Sequence, residues 1–122
     1  MLLNDFFKIT SIENAEKHIA SIELNPKHQI FNGHFPGNPV VPGVCLTQMV
    51  KEVVEHITQK KLWMVIGDNL KFTAILNPEI QHNIILTVGI KNKENGDLQA
   101  DATVTAEGTS FFSFKGSFKE LK

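Results

Sequence analysis

The chain has 122 residues, 42% of them apolar and 20% charged, with a formal net charge of −1. These values suit one folded domain spanning residues 1–122, with a core of its own. All 12 basic residues are lysine, so the guanidinium fork that reads bases is missing and nucleic-acid recognition is not expected; nor is a membrane span, since no run approaches about 18 apolar residues.

Cys45 is the only cysteine, which excludes an internal disulfide, and no CxxC or Cys/His pair stands at zinc-ligand spacing. Asp5 sits where a secretory leader would carry lysine or arginine. A reducing, cytoplasmic setting is expected, without a bound metal. No P-loop, dinucleotide fingerprint or GxSxG occurs, so no cofactor is expected either.

Taken in chain order, Phe6 to Ile9 reads as a short strand, and Ala20, Ile22 and Leu24 alternate with Ser21, Glu23 and Asn25 as a second. From Val44 to Gln59 the period changes. Leu46, Met49, Val50, Val53, Val54 and Ile57 recur at helical spacing, and Pro42-Gly43 immediately before them suits a helix start. Trp63 to Ile66 and Leu70 to Leu76 read as two strands around a Gly67-Asp68-Asn69 turn.

Ile84 to Lys91 alternates with period two, Asn95-Gly96 is a favoured hairpin turn, and Leu98 to Ala106 alternates again. Glu107-Gly108 makes another reversal before Phe112, Phe114 and Phe118 alternate with polar neighbours. One long helix with antiparallel strands and no βαβ alternation is an α+β pattern.

The segment Phe31 to Gly43 packs 3 prolines and 3 glycines into 13 residues directly before the helix. Proline lowers the entropy of ordering a loop, and glycine allows positive φ or close approach of the backbone to a ligand. His34 lies inside it, and histidine is the side chain best matched to proton transfer near neutral pH. Gly43 then opens a helix N-terminus, where free N–H groups stabilise negative charge on an oxygen. Two readings fit these residues equally: a base beside an oxyanion site, or a shaped turn with a hydrogen-bonded histidine inside it.

The stretch Gly33-His34-Phe35-Pro36-Gly37-Asn38-Pro39-Val40-Val41-Pro42-Gly43-Val44 resembles the active-site motif of the 3-hydroxyacyl-acyl-carrier-protein dehydratases. It matches every fixed Gly, His and Pro of that pattern. Lys71-Phe72 and Asn77-Pro78 look like later landmarks of the same family. The resemblance implies a hotdog fold, in which an antiparallel sheet wraps a long central helix and pairs with a second subunit. It also implies that His34 removes the C2 proton of an acyl thioester and that the Gly43 N–H holds the thioester carbonyl. Phe35, Pro36, Gly37, Pro42 and Val44 are the substrate-binding positions it implies.

The family's third group, a helix carboxylic acid that protonates the departing hydroxyl, falls on Gln48. An amide keeps the length and polarity of glutamate but has no proton to exchange. Glu52 and Glu55 lie one and two turns further on, where a shift of roughly 5.4 Å per turn takes them away from that position. Both read as solvent or interface residues.

Cys45 reads as a small buried apolar residue. His18, His28, His56 and His82 read as surface or hydrogen-bonded structural histidines, and Phe111, Phe112, Phe114 and Phe118 as core or interface.

Three functions share this frame. The first is a dehydratase converting a 3-hydroxyacyl thioester to a 2-enoyl thioester in fatty-acid or related acyl biosynthesis, with Gln48 at the acid's position. The second is an impaired acyl-binding subunit, completed by a paralogue because the family builds each site across a dimer. The third is a hotdog acyl thioesterase. The expected partners are an acyl carrier protein or coenzyme A thioester and a second subunit, in a homodimer, a higher homo-oligomer or a heterodimer with a paralogue. Lys51, Lys60 and Lys61 are candidate contacts for an acidic carrier.

Overall fold

The computed structural model describes residues 2–33 and 39–121. In chain order the elements are β1 (Phe7–Asn14), β2 (His18–Leu24), a 3-10 turn (Gln29–Gly33), α1 (Gly43–Thr58), β3 (Leu62–Phe72), β4 (Asn83–Asn92), β5 (Leu98–Ala106) and β6 (Thr109–Glu120). The strands form one sheet in the order β1-β2-β4-β5-β6-β3, with every neighbouring pair antiparallel. The helix, inserted between β2 and β3 in sequence, covers the sheet's inner face. This is the hotdog arrangement that the motif resemblance implied.

The period-two pattern of the strands explains the core. Ala20, Leu86, Val104 and Phe112 sit opposite one another across β2, β4, β5 and β6, and all four are buried. On β5, Ala102 lies between Val88 of β4 and Phe114 of β6, and Ala100 between Ile90 and Gly116. Against this face α1 sets Cys45, Leu46, Met49, Val50, Val53 and Val54, all buried in the same cluster. Burial of such a stripe, at about 25 cal/mol per Å² of apolar surface, is what holds a helix of this length in place.

Helix start and stop agree with local chemistry. Pro42 occupies the N-cap in an extended conformation, and Gln59 closes the helix in the left-handed region at φ 57°, its N–H donating to Glu55 O. The β5–β6 reversal is made by Glu107 and Gly108, both at positive φ.

Two expected boundaries change. The first strand runs on to Asn14 because its register shifts between Ile9 and Ser11, which breaks the alternation visible in sequence. The Gly67-Asp68-Asn69 segment is not a turn. β3 continues through it as a single strand, with register shifts between Met64 and Ile66 and between Gly67 and Asn69. The long partner β6 supplies ladder bonds on both sides, and Gly67 lies opposite Gly116, where two backbones approach without side chains. The residues that suggested a reversal absorb a bulge instead, and β3 ends at Phe72, short of the expected Leu76.

Candidate active site

The loop carrying the motif is tied down on both flanks. Phe31 is buried with its ring centroid 5.6 Å from that of Phe6, while Pro39 and Val41 are buried on the far side, and the Val41 N–H donates to Leu76 O. His34, Phe35, Pro36 and Gly37 lie outside the described residues.

Past them the chain enters α1 with no side-chain cap. The Cys45 and Leu46 N–H groups donate to Pro42 O, and no described residue accepts from the N–H of Gly43 or Val44. Two backbone donors therefore point outward at the positive end of a helix.

Phe72 forms the wall beside them. A Cβ on Gly43 would stand 2.8 Å from its ring, so only glycine lets the ring approach this closely. Phe72 stacks on Phe112 with centroids 4.8 Å apart, yet it is 53% exposed. Pro42 is half-buried and Val44 is 76% exposed. Donors facing a partly apolar wall can hold an oxygen that gains negative charge, and excluding water there strengthens the interaction.

Gln48 is half-buried and lies elsewhere on the helix. It lines a cleft of about 450 Å³ with Leu3, Lys51, Glu52, Glu55 and His56, a cleft that Gly43 does not line. Within one subunit the helix-start donors and Gln48 are thus not brought together.

Glu52 corrects its sequence reading: it is 1% exposed rather than a solvent or interface residue. Its Oε1 accepts from the N–H groups of Leu2 at 2.9 Å and Leu3 at 2.8 Å. Its Oε2 accepts from the Leu2 N–H at 3.0 Å and from Gln48 Nε2 at 2.8 Å. A buried carboxylate requires this saturation with donors. The available sequence signal was its position between the apolar Met49-Val50 and Val53-Val54 pairs, together with Gln48 one turn earlier. Glu55 is half-buried and accepts from the Leu62 N–H at 2.8 Å, tying the helix to β3.

Cys45 is buried, and burial pushes its thiol pKa up, in keeping with a small core residue. His28 bonds Asp5 Oδ2, His18 bonds Asn14 Oδ1 and His82 bonds Pro78 O, all structural contacts. Phe111, Phe112, Phe114 and Phe118 are buried in the core. Among the described residues no three His, Cys, Asp or Glu side chains gather at metal-binding distance.

Comparison with known proteins agrees with this frame. A 3-hydroxyacyl-[acyl-carrier-protein] dehydratase FabZ of Caldicellulosiruptor saccharolyticus is 26% identical over 119 residues, covering 88% of this chain and 85% of the relative. The enzyme of the same name from Oenococcus oeni is 28% identical over 115 residues, covering 88% and 81%. Among solved structures, the dehydratase heterocomplex ApeI:P from Xenorhabdus doucetiae superposes with a TM-score of 0.64 at 20% identity, over 90% of this chain and 95% of that one. Conserved protein PA5202 from Pseudomonas aeruginosa gives 0.65 at 12% identity, over 96% and 90%. At these identities the structural likeness is one of fold. The ApeI dehydratase family model matches residues 10–114. The chain therefore belongs to the ApeI-like dehydratase family.

Proposed function

We propose that this chain is a subunit of a dehydratase acting on 3-hydroxyacyl thioesters, releasing water to leave a 2-enoyl thioester. The observation that carries the reading is the start of α1: N–H groups on Gly43 and Val44 that no described residue accepts from, walled by Phe72, directly after a loop that contains His34. In this reading the Gly43 N–H polarises the thioester carbonyl, which makes the C2 proton acidic enough for His34 to remove. Pro42, Val44 and, in the loop, Phe35, Pro36 and Gly37 border the acyl chain. The thioester is carried by an acyl carrier protein or coenzyme A, and the work belongs to cytoplasmic fatty-acid or related acyl synthesis. No helix among the described residues is long and apolar enough to cross a membrane.

Incubation with a 3-hydroxyacyl carrier protein, followed by mass spectrometry, tests this. Loss of one water is expected and His34→Ala abolishes it; no conversion, alone or with any paralogue, overturns it.

The site is completed by a second subunit. β3 is an edge strand with Trp63, Val65, Ile66 and Phe72 exposed, an apolar edge that a pairing strand covers. Gln48 favours a partner that supplies the acid, because its amide carries no exchangeable proton and its NH₂ is already given to Glu52. The related fold of a dehydratase heterocomplex supports the same reading. Activity then appears only on co-expression with an acid-bearing paralogue.

A Gln48→Glu homodimer tests it from the other side. The introduced carboxyl would lie against the Glu52 carboxylate, and two carboxylates at that distance share one proton, so the variant gains the acid that elimination requires. A rate gain on the order of 10² to 10⁴ is expected; a homodimer as active as its Gln48→Glu variant rules the partner reading out.

A further inference from the structure

The amide of Gln48 has one orientation. Glu52 already accepts backbone N–H groups on both of its oxygens, so the 2.8 Å contact from Gln48 Nε2 to Glu52 Oε2 turns the nitrogen inward and the carbonyl oxygen away from Glu52, on a residue that lines the cleft. Among the described residues no donor reaches that oxygen and no buried side-chain polar atom lacks a partner. Glu52 cannot turn away to release the amide, because the Leu2 and Leu3 N–H groups clamp its other oxygen.

We infer that Glu52 is a positioning residue that makes the site selective for a 3-hydroxyacyl thioester over its 3-oxo counterpart, by holding Gln48 with its carbonyl oxygen toward the substrate. This rests on the dehydratase reading: in the site of the dimer that this chain's own helix lines, Gln48 stands in the acid's place beside the substrate's C3 oxygen, while the partner's acid serves the other site. A hydroxyl can donate to Oε1, whereas a ketone offers only lone pairs and can use no more than the amide's remaining N–H. The discrimination sits in a single hydrogen bond, which corresponds to roughly a three- to tenfold preference. Gln48 in this role binds the leaving hydroxyl without protonating it.

Glu52→Gln tests the device directly. The new amide must keep its oxygen on the Leu2 and Leu3 N–H groups, which turns its NH₂ toward Gln48. Gln48 must then reverse, setting its own NH₂ toward the substrate. The measurement is calorimetric titration with three non-reactive ligands: the hexanoyl, 3-hydroxyhexanoyl and 3-oxohexanoyl pantetheine analogues with an amide in place of the thioester. The parent protein binds the hydroxy ligand more tightly than the oxo ligand. In Glu52→Gln the ratio falls to one or inverts, while the affinity for the hexanoyl ligand is unchanged.

A purely structural role for Glu52 weakens all three ligands alike and keeps the ratio, and that result overturns the inference. Equal binding of hydroxy and oxo ligands by the parent overturns it too, without touching the dehydratase reading. Failure of the parent to bind any of the three removes that reading itself. Should Glu52→Gln not fold, Gln48→Leu decides: a lost preference supports the assignment and a retained one overturns it.

Discussion

At the scale of single residues, the two groups with chemical potential on α1 have been settled by burial in opposite ways. Glu52 is kept inside by backbone donors from the N-terminal segment, so removing it strands the Leu2 and Leu3 N–H groups along with the Gln48 amide. Glu52→Ala is expected to lower stability by about 2 kcal/mol, read from the urea midpoint. Cys45 is neutral, and burial raises its pKa. The fold holds the thiol proton at a pH where the unfolded chain releases it, so this contribution to stability is full below the unfolded pKa. It fades as pH rises through the folded value. Alkylation of Cys45 by iodoacetamide at mildly alkaline pH should be much slower in the native protein than in urea; equal rates would contradict the burial.

Among the elements, β3 depends most on its partner. Its two register shifts are absorbed against β6, and at Gly116 a Cβ would stand 2.6 Å from the Ile66 carbonyl oxygen and 2.6 Å from the Phe114 ring. Backbone cannot yield as a flexible side-chain tip can. Gly116→Ala should therefore loosen the β3–β6 ladder and cost roughly 1–3 kcal/mol, with hydrogen exchange rising first in β3. Uniform exchange across the sheet would place the strain elsewhere. Phe72, at the end of β3, links this strand to the helix start: its ring stacks on Phe112 and walls the Gly43 N–H, so a displaced β3 also displaces the wall of the proposed thioester site.

For the whole molecule, the apolar row that crosses the sheet does not stop where the buried core stops. Ala20, Leu86, Val104 and Phe112 are covered, but the row continues to Phe72 at the open edge, and Trp63 and Ile66 are 61% and 50% exposed beside it. In the proposed assembly a second subunit paired along β3 would remove that edge from water. A lysine there opposes pairing through its charge and its hydration. Ile66→Lys is expected to shift the protein toward monomer in light scattering and, when co-expressed with an acid-bearing paralogue, to lower dehydratase activity together with the fraction assembled. An unchanged mass would move the interface away from β3.

Much of this protein can be read from local patterns. The helix over the Leu46–Ile57 stripe and the β4–β5–β6 meander follow from periodicity and turn chemistry, because each is set by residues near one another in the chain. The run that resembles the dehydratase motif is likewise contiguous, from Gly33 to Val44, though its His34 lies outside the described residues. What the sequence left open are contacts between distant segments. The bulged continuity of β3 depends on β6, more than forty residues further on, where Gly116 faces Gly67. Whether Glu52 faced solvent or core depended on the N-terminal N–H groups, 50 and 49 positions away, reaching it. Helical spacing set Glu52 one turn from Gln48; tertiary packing alone buried it, fixed its donors, and so decided which end of the Gln48 amide is left for a substrate.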